Sequence, residues 1–176
     1  MGLDITAYRE IKKVDLPDDS EEVSEAFYAE GGFRLYHNSD FSGRADDVPE
    51  GDYICAEDLG FRAGSYSGYN SWREQLAQMA GYPKARAEGF RDGAMRHDQG
   101  AWNATEGPFW EMITFSDCEG VLGTATCAKL AKDFADWQER AEAFSASADD
   151  KWFITKYNEW RAAFDLAAVG GAVMFH

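Results

Sequence analysis

A chain of 176 residues is about one domain's length and can close a substantial hydrophobic core without disulfides or metals. Apolar residues make up 45% of it and aromatics 15%, which excludes a largely disordered chain. Asp and Glu number 32 against 17 Lys and Arg, a formal net charge of −15, and a field of that sign excludes direct binding of nucleic acid or anionic lipid.

A strand is predicted over residues 3–11, where Leu3, Ile5 and Ala7 alternate with Asp4, Thr6 and Tyr8. Residues 15–31 carry acid and turn residues and read as an exposed loop with a short helix near Val23–Ala29. A second strand follows at Phe33–His37, then an acidic loop over 38–51 and a short strand at Tyr53–Cys55. Gly64-Ser65-Tyr66-Ser67-Gly68-Tyr69-Asn70 reads as a small-residue loop feeding a helix at Trp72–Ala80, which Gly81 and Pro83 stop. Residues 84–107 mix charge and glycine without periodicity and read as an irregular surface excursion. Pro108–Phe115 is too short for periodicity to assign, although a proline in the first turn favours a short buried helix.

After a loop at Ser116–Gly123, one helix is predicted over about 124–146, with Cys127, Leu130, Phe134, Trp137, Ala141 and Phe144 spaced by threes and fours. Another is predicted over about 150–168, with Asp149 or Asp150 as N-cap and Phe153, Tyr157, Trp160 and Phe164 on one face. Ala172–Phe175 reads as a closing strand. The chain therefore divides into an acidic strand- and loop-rich part (1–62), a helix-rich part (63–170) and a final strand (171–176). These parts predict a single α+β domain, in which a small mixed or antiparallel sheet carries two long C-terminal helices and one shorter helix on one face.

Two stretches hold the residue types that chemistry needs. Ser116-Asp117-Cys118-Glu119-Gly120 places carboxylates and a thiol just before a predicted helix, where they suit acid–base work, nucleophilic attack or plain capping. Tyr66, Tyr69, Asn70, Trp72 and Arg73 combine aromatic faces with planar donors, a mix that suits recognition but equally suits a core. His176 follows an apolar strand that would hold its imidazole at a defined place, whereas His37 and His97 read as surface histidines.

Cys55, Cys118 and Cys127 show no C-x-x-C spacing, so neither a disulfide framework nor a zinc ribbon is expected, and Cys127 reads as a core residue. No metal and no cofactor is expected, and Walker, nucleophile-elbow, zinc-protease and dinucleotide signatures are all missing. No leader or membrane-spanning run is found, so the expected compartment is the cytoplasm.

Three strings, Met1-Gly2-Leu3-Asp4-Ile5-Thr6-Ala7-Tyr8, Phe61–Asn70 and Phe115–Gly120, resemble a family of proteins of bacteriophages, prophages and their hosts that has no assigned activity. The likeness spans most of the chain and implies a context, not a residue role. Small acidic phage proteins often bind host factors. The charge is also lopsided, with 16 acidic and 5 basic side chains in residues 1–60 against 16 and 12 in the remainder.

Two functions follow as expectations. The first is a non-catalytic acidic protein of the host cytoplasm that blocks or sequesters a basic host factor. Such a factor would be a nuclease, a CRISPR effector or another nucleic-acid-binding protein, met by a DNA mimic. The second is a small-molecule or catalytic site built from the 64–73 and 116–120 segments with His176, which requires those segments to converge.

Overall fold

The computed structural model describes residues 2–17, 20–46, 48–87 and 93–176; the parts of the predicted acidic loops at 18–19 and 47, and of the 84–107 excursion at 88–92, lie outside them. The period-two alternation at the N-terminus becomes strand β1 (Leu3–Arg9), and both of its faces are used. It pairs antiparallel with β5 (Glu57–Gly64) on one side, Ile5 opposite Phe61, and with β9 (Ala172–Phe175) on the other, Ile5 opposite Phe175. A short β8 (Gly120–Leu122) pairs with β9 and completes an antiparallel sheet of order β5-β1-β9-β8.

Leu3, Ile5, Ala7, Leu122, Val173 and Phe175 face the helices and belong to one buried cluster. Three helices dominate that side: α2 (Tyr66–Ala80), α5 (Thr124–Asp136) and α7 (Lys151–Ala167). Trp72, Trp160, Tyr69 and Phe175 fill the layer between helices and sheet, each almost wholly buried, with the Trp72 and Trp160 rings 6.0 Å apart and Trp160 5.4 Å from Phe175. Full burial of side chains this size removes them from water at a gain of about 2–3 kcal/mol each.

The opposite face is not bare, as helices on one side alone would leave it. Tyr8, Val121 and Ala172 pack under Leu35 and Tyr53 of a second antiparallel sheet, ordered β2 (Lys12–Val14), β4 (Gly51–Ile54), β3 (Phe33–Leu35). The Tyr8 and Phe33 rings stack at 3.7 Å. The chain passes between the sheets at Glu10, whose φ of 50° turns the predicted 3–11 strand out of the first sheet. It returns at Ala56, whose N–H donates to the Arg9 carbonyl at 3.0 Å. Gly171 permits the close lie of the last strand, because a Cβ there would meet the Tyr8 carbonyl oxygen at 1.8 Å.

Local signals account for several helix ends. Ser65 caps α2 by accepting from Gly68 N–H, Gly81 closes it at φ 89°, and Asp150 caps α7 by accepting from Trp152 and Phe153 N–H. α1 (Glu21–Ala29) stands where a short helix is predicted. Pro108–Phe115 holds the four-residue α4 (Trp110–Ile113).

Besides the 3–11 strand, which ends at Arg9, and the 116–123 loop, which holds β8, three predicted elements change. The 64–70 loop is mostly the first turn of α2, and the 124–146 helix breaks at Trp137 into α5 and α6 (Gln138–Ala148). Neither glycine nor proline marks that break; Trp137 leaves helical geometry while its ring packs edge-on against Phe109 at 6.1 Å. The third is the 84–107 excursion, which contains a small hairpin, β6 (Ala85–Arg86) with β7 (Met95–Arg96), and α3 (His97–Trp102).

Replacing Trp160 by alanine is expected to cost about 3–5 kcal/mol of unfolding free energy in chemical denaturation. Trp160→Phe is expected to cost clearly less, because the indole N–H makes no hydrogen bond among the described residues and only volume is lost.

Candidate functional site

The α2 sequence sends Tyr69, Trp72 and Arg73 inward at helical spacing. Tyr69 and Trp72 are core residues, the Trp72 indole donating to the Phe153 carbonyl at 3.2 Å, so neither offers a face to a partner. Arg73 is also buried, with 8% of its surface exposed, and a buried guanidinium must find acceptors. It donates to the carbonyls of Phe115 (2.5 Å) and Ile113 (3.3 Å) and to Asn70 Oδ1, and its charge lies over the Tyr69 ring at 4.8 Å. Asn70 Nδ2 in turn donates to Asp117 Oδ2 at 2.6 Å. Two segments 40 or more residues apart are thereby fastened together.

That fastening sets the loop that follows. Ser116, itself buried, accepts from the N–H groups of Cys118 (3.2 Å) and Glu119 (3.1 Å), a tight local turn that turns the Cys118 and Glu119 side chains out to solvent. Asn38 Nδ2 donates to the Glu119 carbonyl at 3.2 Å and joins the segment after β3 to the same loop. The backbone of His176 extends the β1–β9 ladder by exchanging hydrogen bonds with Asp4, and its Nε2 lies 2.9 Å from Thr6 Oγ1. His37 is held by Glu50, which accepts from its backbone N–H, and by a 2.7 Å contact between its Nε2 and the Val48 carbonyl.

These elements surround a cleft of about 530 Å³. Its polar side chains are His37, Tyr66, Cys118, Glu119 and His176, and Tyr36, Met174 and Phe175 supply apolar wall. Of the ten residues singled out from sequence, Tyr66, Cys118, Glu119 and His176 line this cleft. Asn70, Arg73, Ser116 and Asp117 form the buried and half-buried framework behind the loop, and Tyr69 and Trp72 lie in the core. Asn70 and Arg73 also reach a smaller hollow beside Asp98 and Trp102. Tyr36 and His37 join the site without any mark in the sequence, since a histidine after a short strand looks like any surface histidine. Among the described residues no group of His, Cys, Asp or Glu is placed to hold a metal ion, and no helix is long and apolar enough to cross a membrane.

Burial dominates the titration of the framework. It pushes the Tyr69 phenol up to about 12, with Asp117 adding to the rise and Arg73 opposing it, and it pushes Tyr8 up to about 12 as well. Burial also drives the Cys127 thiol far above its ordinary range and raises Cys55, the latter helped by Asp58.

Compared with known proteins, the chain matches no family model, no curated protein and no solved structure.

Two outcomes are expected from this arrangement. Tyrosines in the unfolded chain ionise near pH 10 while Tyr69 and Tyr8 stay protonated to about 12, so the unfolded state releases protons first. The stability these two tyrosines contribute is therefore fully present below about pH 10 and is lost as pH rises from there towards 12, which thermal melts across that range will read. In the native protein an alkylating reagent should modify exposed Cys118 first and Cys127 only on unfolding, as peptide mass mapping will show.

Proposed function

We propose that the protein binds a small organic molecule in the cleft framed by Tyr66, Cys118, Glu119 and His176. The observation that carries this reading is their convergence: side chains from α2, the 116–119 loop and the end of β9 meet at one concave site with His37 and Tyr36. Aromatic and apolar walls with a few convergent polar groups are the ordinary make-up of a ligand site. The Glu119 carboxylate and the strongly negative chain favour a ligand carrying a cationic or hydrogen-bond-donating group. Cys118 is the group in the cleft with nucleophilic chemistry, held in place by the Ser116 turn.

The protein purified gently from bacterial cytosol is expected to show, by native mass spectrometry, a discrete small-molecule increment that is lost on denaturation. That increment should vanish in Glu119→Gln and in Cys118→Ser. A bare native mass, together with Cys118 alkylation at the same rate before and after dialysis, would rule the reading out.

A second reading, an acidic phage-derived protein that occupies a basic host factor in the cytoplasm, draws support from α1. None of its residues is buried, and among the described residues Glu21, Glu22 and Glu25 form no ion pair. Such a helix presents its charge undiminished to a partner. A complex captured with a basic host protein should weaken steeply as salt is raised and lose affinity in Glu21→Gln/Glu22→Gln/Glu25→Gln. Binding that persists unchanged in high salt would refute it.

A further inference from the structure

Among the described residues no strand pairs with the outer edge of β5, and the backbone pattern shows which groups it offers. Asp4 and His176 exchange backbone hydrogen bonds, so Asp4, Thr6 and Tyr8 direct their N–H and C=O groups towards β9. Ile5, Ala7 and Arg9 therefore face β5 and pair with Phe61, Leu59 and Glu57. The intervening residues of β5, Asp58, Gly60 and Arg62, direct their backbone groups away from the sheet.

Both side-chain faces of this edge are also unfinished. Leu59 and Phe61, on the helix side, border an apolar groove of about 440 Å³ along α7 with Thr155, Asn158, Glu159 and Ala162. Asp58 and Arg62 stand on the opposite face, where Arg62 makes an exposed pair with Asp4 at 3.4 Å. An unpaired edge beside an apolar groove is a template for another strand.

We propose that the strand added there is β5 of a second copy, running antiparallel about a two-fold axis at Gly60 and joining two four-stranded sheets into one. The charge order of the strand selects this occupant. Antiparallel self-pairing centred on Gly60 sets Asp58 opposite the second copy's Arg62 and Arg62 opposite its Asp58, both on the solvent face. It sets Leu59 opposite Phe61 on the helix face, over the groove. The two Gly60 residues meet at the axis, where no side chain keeps the backbones apart. The outward N–H groups of Asp58, Gly60 and Arg62 find carbonyls on the same residues of the other strand. Lys156 Nζ already donates to the Arg62 carbonyl at 2.7 Å; that oxygen has a second lone pair, which the incoming Asp58 N–H takes.

The test is the mass of the full chain in solution across a concentration series, by light scattering and sedimentation. A dimer that dissociates on dilution is expected. Arg62→Asp sets like charges opposite each other at two symmetric positions and should weaken the dimer about tenfold or more, while the charge exchange Asp58→Arg/Arg62→Asp should restore it. Gly60→Pro removes an N–H that β1 does not use, so it should abolish the dimer with the monomer still folded by circular dichroism. A monomer at every concentration, or a dimer indifferent to Arg62→Asp and Gly60→Pro, would overturn the proposal. Neither result bears on the cleft, whose lining includes no residue of β5.

Discussion

The Arg73 guanidinium is a charge held inside an aromatic core, and its need for acceptors constrains everything around the cleft. A charged group out of water is tolerated only with its donors occupied, and the acceptors available to Arg73 are carbonyls of the 113–115 segment and the Asn70 amide. Meeting that need fixes where α4 ends and where the 116–119 turn begins. The stack on Tyr69 and the Asn70–Asp117 bond then make the turn part of the α2 surface. Residues that never touch the cleft thus determine where Cys118 and Glu119 sit.

The second constraint is that the main sheet is covered on both faces. The aromatic layer beneath the helices supplies most of the burial, while the Tyr8–Phe33 stack anchors a smaller sheet to the other side. That smaller sheet carries Tyr36, His37 and Asn38 to the mouth of the 116–119 loop, so the cleft is a seam between the two layers. Asp46, from the same region, caps α5 by accepting from the N–H and hydroxyl of Thr126. One short acidic stretch therefore closes a helix end and holds one wall of the site, and its charge has structural work beyond solubility.

The cleft at this seam joins groups that no single element carries: two imidazoles, two phenols, a thiol and a carboxylate against apolar wall. The acidic helix α1 stands apart from it, with none of its residues buried, and offers a separate surface. Binding of a small molecule and recognition of a basic partner would thus use different parts of the chain.

The elements legible in the sequence are those whose signals are local. The alternation in 3–9, the 3.6-residue stripe of Phe153, Tyr157, Trp160 and Phe164, the Asp150 and Gly81 caps and the closing 172–175 strand follow from side-chain period and backbone preference over a few residues. Together they were enough for an α+β class and for naming the loop that carries Cys118 and Glu119. What only the tertiary structure decided rests on partners far apart in the chain. These are the division of the strands into two sheets, the break at Trp137 against Phe109, the Asp46 cap some 80 residues from its helix, and the passage of Tyr69 and Trp72 into the core. His37 entered the site for the same reason: its ring is placed by Val48 and its segment by contact with Glu119, and neither contact leaves a periodicity or a motif to read.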